Sequence, residues 1–223
     1  MRSVRHVLMR PSGFTLVELL VTIGVIAVLL ALLMPALSRA RQQANQVVCA
    51  SNLHQVGLEL QMYANHSRGW LYPVGRWDPV LRQYRTLGAN VPPEQRWPVY
   101  VFQPAVWNPP VMKCPSDYEP AEDHSYVLNE HLADKNVKAF DSKAGELTSS
   151  EIIVAGEKVS TKSDYYMEQK EFYQVVEPYR HGKAYGSNYL YLDMHVSTTP
   201  PADALAGTDP WDPPLPPHPP PAP

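Results

Sequence analysis

From Phe14 to Met34 the chain is almost continuously apolar, with Glu18 as its single charged residue and Thr15 and Thr22 adding little polarity. That matches the roughly 20 residues a helix needs to cross a bilayer core at a rise of about 1.5 Å per residue. Past this run the pattern becomes amphipathic. No proline and only one glycine, Gly57, occur between Leu37 and His66. Cys49, Leu53, Val56, Leu60 and Tyr63 follow one another at spacings of 4, 3, 4 and 3, which places them on one helical face. Arg39, Arg41, Gln42, Gln43, Asn45 and Gln46 make the stretch above them more polar. Asn65, Ser67 and Gly69, with Pro73 beyond, signal the end of the helix.

After Trp70 the period shortens. Six β-prone runs are separated by proline and glycine: Val99 to Phe102, Val111 to Cys114, Ser125 to Leu128, Ile152 to Ala155, Phe172 to Val176 and Asn188 to Leu192. In the last run Tyr189 and Tyr191 alternate with Leu190 and Leu192, which predicts one aromatic and one aliphatic face. The segment from Trp70 to Pro110 is rich in proline and holds four of the five tryptophans; it reads as a packed irregular loop. A helix followed by strands predicts an α+β domain, with a small antiparallel sheet laid on the helical stripe. In the final segment, from Pro200 to Pro223, eleven of 24 residues are proline. It reads as an extended, disordered tail that buries no core, with a spacer or a ligand for a proline-binding partner as the functional alternative.

The flanks of the apolar run give it an orientation. Arg2, Arg5 and Arg10 precede it and no acid stands before Glu18. Basic flanks stay on the cytoplasmic side, so the N-terminus is expected inside and the bulk of the chain outside. The run is too long for the apolar core of a secretory signal, and Ala36-Leu37-Ser38-Arg39 supplies no small-residue cleavage site. A plain uncleaved anchor accounts for length and orientation but not for the bracketing of its start by Gly13 and Glu18. A carboxylate in such a span either lies at headgroup depth or has a partner.

Gly13-Phe14-Thr15-Leu16-Val17-Glu18-Leu19-Leu20 resembles the leader junction of type IV pilins and type II secretion pseudopilins. The resemblance implies cleavage after Gly13 by a prepilin peptidase and N-methylation of Phe14. It implies that Glu18 meets the new N-terminal amine of a neighbouring subunit, and that Pro35 loosens the helix. Two charges that must both sit in hydrocarbon each offset part of the other's desolvation. The organisation expected is a leader at 1–13, a transmembrane helix at 14–36, its amphipathic continuation at 37–66, an extracytoplasmic domain at 67–199 and the proline-rich tail at 200–223. Cleavage removes three of 19 basic residues, leaving 16 against 22 acidic ones and a charge of −6 with histidine neutral. That balance argues against a nucleic-acid partner.

A second resemblance covers patches of the globular part. Cys49 to Leu58, Cys114-Pro115-Ser116-Asp117, Ser125 to Asn129 and Arg180-His181 with Asn188 to Val196 are similar to a pseudopilin-like family known from planctomycetes. That family's hallmark is a histidine, nine intervening residues and then Asp-Gly. Here eleven residues separate His181 from Asp193, and Met194 stands in place of the glycine. Asp-Gly suits a type I′ hairpin turn, where positive φ is required. Met194 is poorly suited to it, which counts against a tight turn at this point.

Cys49 on the stripe and Cys114 at a strand end could meet if that strand packs on the helix. A disulfide is preferred over two buried free thiols, because disulfides persist outside the cytoplasm. His181, Asp193 and His195 are the best candidate set for a divalent metal, against ordinary turn and strand roles. Asp117, Glu119, Glu122 and Asp123 form an acidic loop that could take calcium, although it lacks the spacing of an EF-hand. No catalytic motif or cofactor fingerprint is present, so the expectation is a protein that is not an enzyme. The function expected is a structural subunit assembled into a secretion pseudopilus or a pilus-like filament. Its partners would be prepilin peptidase, other pilin or pseudopilin subunits and the inner-membrane assembly platform. The alternative is an anchored extracytoplasmic domain that binds a ligand, a metal or an envelope polymer without polymerising.

Overall fold

The computed structural model describes residues 14–72, 75–78, 83–86, 98, 101–102, 109–140, 147–167, 172–183 and 185–199, with the backbone alone at 75–78, 83–86, 139, 172–173 and 199. The leader with Gly13, the residues Val99 and Tyr100 and the proline-rich tail lie outside them. The chain divides into two compact units, Met1–Arg41 and Gln42–Pro223. The boundary therefore falls inside the long helix rather than at its end.

Helix α1 runs from Leu16 to His66, 51 residues, and continues through Pro35. Proline lacks the N–H that would reach the carbonyl of Ala31, so one helical hydrogen bond is missing there. Apolar side chains from Phe14 to Leu37 are exposed. The helix closes with Arg68 at φ 57 and Gly69 at φ 90. Gly69 N–H reaches back to the Ala64 carbonyl at 2.7 Å, the six-to-one bond of a Schellman ending.

Within the second unit, α1 buries Cys49, Leu53, Val56, Gly57, Leu60 and Ala64. The expected stripe is thus the buried face, with Tyr63 partly buried beside it. The stripe lies on a five-stranded sheet of order β5-β3-β4-β6-β7, built from β3 (Tyr126–Asn129), β4 (Ile153–Glu157), β5 (Tyr166–Met167), β6 (Ser187–Tyr191) and β7 (Val196–Thr199). A separate antiparallel hairpin pairs β1 (Gly75–Asp78) with β2 (Gln83–Thr86). It lies within the segment expected to be irregular.

The sheet is mixed rather than purely antiparallel. Four strands alternate in direction, but β5 runs parallel to β3, with Leu128 opposite Tyr166. After β4 the chain reverses, passes to the far side of β3 and pairs there. A strand that reverses from β4 must run the same way as β3, which is itself antiparallel to β4.

Alternation along the strands sorts the core into two layers. Tyr126, Leu128, Val154, Leu190 and Leu192 join the helix stripe. Val127, Ile153, Met167, Tyr189 and Tyr191 pack on the other side with Val175 and Val176. The aliphatic and aromatic faces expected of the Asn188 to Leu192 run are these two layers. Both faces of the sheet are buried, so its strands read as continuous apolar runs.

Three other strand expectations are corrected. Pro109 and Pro110 open a 3-10 turn at Pro110–Met112, because a ring-fixed φ suits the first position of a helical turn. Val101 and Phe102 end a helical turn in which Phe102 N–H donates to the Pro98 carbonyl at 2.9 Å. Phe172–Val175 is a short helix, and only Val176 of that run pairs in sheet fashion, with Lys158.

Candidate functional site

The first turn of α1 carries the first site. Thr15 N–H and Thr15 Oγ–H both donate to Glu18 Oε2, at 2.9 and 2.8 Å. Glu18 N–H in turn donates to Thr15 Oγ1 at 3.2 Å. This reciprocal pairing is a capping box, which satisfies donors that the helix start leaves orphaned. Glu18 is therefore held by its own chain, not merely carried on an apolar helix. The sequence contains the signal, a threonine followed three residues later by glutamate, but its value as a cap becomes legible only once the helix is known to start there.

The second site lies inside the globular unit. Cys49 on α1 is joined to Cys114, just past the 3-10 turn, by a disulfide with Cα atoms 4.9 Å apart. Beside it, the wholly buried side chains of His181 and Glu157 meet, His181 Nε2 lying 2.8 Å from Glu157 Oε1. Asn188 on β6 clamps the pair. Its backbone N–H donates to Glu157 Oε2 at 2.9 Å, and its side-chain amide lies 3.0 Å from His181 Nε2. Thr198 Oγ–H donates to the side-chain Oδ1 of Asn188 at 2.6 Å, and Gln46 Nε2 of α1 donates to Thr198 Oγ1 at 3.0 Å. A carboxylate excluded from water in this way is tolerable only with such donors around it.

Two glycines shape the loop that presents His181. Gly182 has φ 99 and Gly186 φ 73, conformations that L side chains rarely adopt. They allow His181 N–H to reach the Gly186 carbonyl at 3.1 Å. The ring is thus fixed in the core at the end of a tight turn.

A second buried layer adjoins this pair. Arg180 approaches Asp117 at 3.4 Å, with side chains 7% and 1% exposed. Ser160 Oγ–H donates to Asp117 Oδ1 at 2.6 Å, and Arg180 Nη1 donates to Ser160 at 2.8 Å. Arg180 Nη2 also donates to the Lys158 carbonyl. Lys158 is itself buried and spends its ammonium on the carbonyls of Ala121 and Lys162. Burial lowers that ammonium to about 8. Burial, reinforced by the nearby Glu157 carboxylate, holds the Tyr126 phenol well above its usual range.

The metal set expected from sequence is divided by the fold. Asp193 and His195 do come together, at 2.5 Å on the exposed β6–β7 turn, where the His195 ring stacks on Tyr191. His181 lies in the buried cluster instead, facing Glu157 and Asn188. Members of the acidic loop are likewise engaged separately: Asp117 inside with Arg180, and Asp123 at the surface with Lys113 at 2.6 Å. Sequence reading missed Glu157 and the clamping role of Asn188. The one available signal was a Glu-Lys pair ending an apolar run, where charge is out of place for a buried strand.

The β6–β7 turn forms despite Met194. Met194 N–H donates to the Tyr191 carbonyl at 2.9 Å, and Tyr191 N–H to the His195 carbonyl at 3.0 Å. Three residues are enclosed and Met194 takes φ 69. This is the three-residue loop with a left-handed final position, not the two-residue I′ turn. The left-handed strain falls on a buried methionine whose burial offsets it.

Comparison with known proteins bears on the first site. Residues 8–34 match the family described as the prokaryotic N-terminal methylation motif. The chain is also similar to the type IV wide pilus major component PilA4 of Thermus thermophilus, with 45% identity over 52 residues, 23% of this chain and 40% of that protein. At its N-terminus the chain is type IV pilin-like. It spans about two fifths of the length of that curated relative. No solved structure matches it. The matched motif contains the Thr15–Glu18 cap and the start of the pilin-like helix, the one helix among the described residues long and apolar enough to cross a membrane. An apolar surface of that extent marks a membrane or protein interface rather than a surface for water.

Proposed function

We propose that this chain is a structural, non-catalytic pilin-like subunit, cleaved after Gly13 by a prepilin peptidase, methylated at Phe14 and assembled into a pilus-like filament or a type II secretion pseudopilus. The observation that carries this reading is the exposed apolar helix that opens, within the methylation motif, on the Thr15–Glu18 cap. In the membrane the helix is a single-pass anchor, with Arg2, Arg5 and Arg10 holding the leader on the cytoplasmic side and the sheet domain outside. In the filament the same apolar surface is buried against other subunits, delivered by the inner-membrane assembly platform. Glu18 then has two tasks. Through Oε2 it caps its own helix, and through Oε1 it accepts the amine of a neighbouring Phe14. The fixed cap sets the carboxylate in place before the partner arrives.

The test has two parts. In a host with an active prepilin peptidase, mass spectrometry of the mature protein finds an N-terminal methylated Phe14, and Gly13→Asp abolishes cleavage. Recovery of chains retaining residues 1–13 from such a host overturns the processing. Glu18→Ala leaves membrane insertion intact, since it removes a costly charge, yet blocks incorporation into filaments. Wild-type incorporation of that variant overturns the assembly role and leaves a plain anchor.

A further inference from the structure

Besides the disulfide and the buried histidine–carboxylate contact beside it, Cys49, Cys114, Glu157 and His181 form one cluster. One ligand atom from each of Cys49, Cys114, Glu157 and His181 lies within 4.8 Å of every other, and all four residues are buried. They come from four separate places in the fold: α1, the loop after Pro110–Met112, the end of β4 and the loop before β6. Their convergence is the product of packing, not of neighbouring positions in sequence. We propose that the chain with its two cysteines reduced holds a closed zinc site made of Cys49, Cys114, Glu157 and His181, which disulfide formation abolishes.

The dimensions fit. Zinc binds sulfur at about 2.3 Å and imidazole nitrogen at about 2.0–2.1 Å, so the corners of its tetrahedron are roughly 3.3–3.8 Å apart. The widest separations, up to 4.8 Å, close by about 1 Å, while the sulfurs, once unbonded, and the His181 Nε2–Glu157 Oε1 pair, now 2.8 Å apart, move apart to make room for the ion. The donor set suits zinc rather than calcium or magnesium, because two thiolates select soft or borderline cations. Four protein donors with no access to water describe a structural site rather than a catalytic one. Supporting contacts are already in place. His181 Nε2 faces Glu157 and is the ligating nitrogen, which leaves Nδ1 for Ser116 Oγ at 3.4 Å. Asn188 N–H orients the carboxylate through Oε2. Such outer contacts fix ligand orientation and raise affinity.

The two states exclude each other because both require the same sulfurs. With a phosphine as reductant, the S–S bond takes up two electrons and two protons to give two thiols, and the phosphine takes oxygen from water to become its oxide. Zinc then displaces both thiol protons, since thiolates are the ligands. The Cys49–Cys114 link between helix and loop is kept in either state, by a covalent bond or through the ion.

The experiment uses the full chain in detergent, reduced with a phosphine and desalted without oxygen, with Co²⁺ as the optical probe and Zn²⁺ as competitor. The expected result is one Co²⁺ per reduced chain, with the visible bands of a tetrahedral thiolate site, bleached by Zn²⁺. The disulfide-bonded chain gives no such bands. His181→Asn and Glu157→Gln each weaken Co²⁺ binding by at least about tenfold. No bands in the reduced wild type, or bands unchanged by both variants, overturns the proposal. Where reduction itself unfolds the domain, the readout becomes near-ultraviolet circular dichroism. Zn²⁺ then restores the native signal in the wild type but not in His181→Asn, and a failure to restore it in the wild type overturns the proposal as well.

Discussion

His54 and Met194 are joined across the helix–sheet interface: His54 Nδ1 lies 3.0 Å from the Met194 carbonyl oxygen. One helical turn away, Gly57 leaves room for the same segment. A Cβ at Gly57 would come within 2.8 Å of Leu190 Cδ1 and 3.4 Å of Met194 Sδ. Met194 accepts φ 69 in the turn and buries its side chain where the helix offers no side chain of its own. The departure from Asp-Gly is thus matched by Gly57.

Met194→Gly relieves the left-handed strain, about 1–2 kcal/mol, but gives up a buried methionine, about 2–5 kcal/mol. The expected net loss is on the order of 1–3 kcal/mol by chemical denaturation. Gly57→Val costs about 1–3 kcal/mol by overpacking. The double variant is expected to cost less than the two losses added, by at least about 0.5 kcal/mol, because the cavity and the inserted side chain are neighbours. Strict additivity would refute the coupling.

The disulfide closes a loop of 65 residues. Constraining the unfolded chain over that length is worth about 4 kcal/mol. Cys49→Ala with Cys114→Ala is expected to lower stability by about that amount in metal-free buffer. Thiol labelling of the denatured, unreduced wild type finds no free thiol; two labels per chain would remove the bond from the account.

Lys158 gives the domain a pH dependence of definite sign. Its folded value of about 8 lies below the ordinary 10.5, so between those values the unfolded chain binds more protons than the folded one. Stability therefore rises with pH across that window, by about 2 kcal/mol from roughly pH 7.5 to 9.5. Below about pH 8 the cost of burying the ammonium is fully present. Lys158→Met is expected to flatten the profile in urea titrations at both pH values. An identical slope in that variant would assign the dependence elsewhere.

Arg180→Met strands the buried Asp117 carboxylate. A broken buried pair costs about 3–5 kcal/mol, more than the pair itself contributes. Adding Asp117→Asn removes the stranded charge and is expected to recover a large part of the loss. A double variant no more stable than Arg180→Met alone would show that Ser160 and the backbone suffice to hold Asp117.

The sequence by itself determined what depends on local pattern. The apolar run, the stripe of Cys49, Leu53, Val56 and Leu60, the two-faced run ending at Leu192 and the leader-like junction at Phe14 and Glu18 are all periodic or contiguous signals. They are fixed by the 3.6-residue and two-residue repeats of side chains around a backbone. Only the tertiary structure decided the rest. Val111 to Met112 turns rather than extends, because two prolines precede it. β5 pairs parallel to β3 because of where the chain passes after β4. His181 was visible as a candidate ligand, but its partners were not. Asn188 lies only seven residues away, but Glu157, Cys49 and Cys114 are farther from His181 in sequence than Asp193 and His195 and are brought to it by packing. A core contact between residues far apart in sequence leaves no periodic trace, so its chemistry becomes readable only after the chain has folded around it.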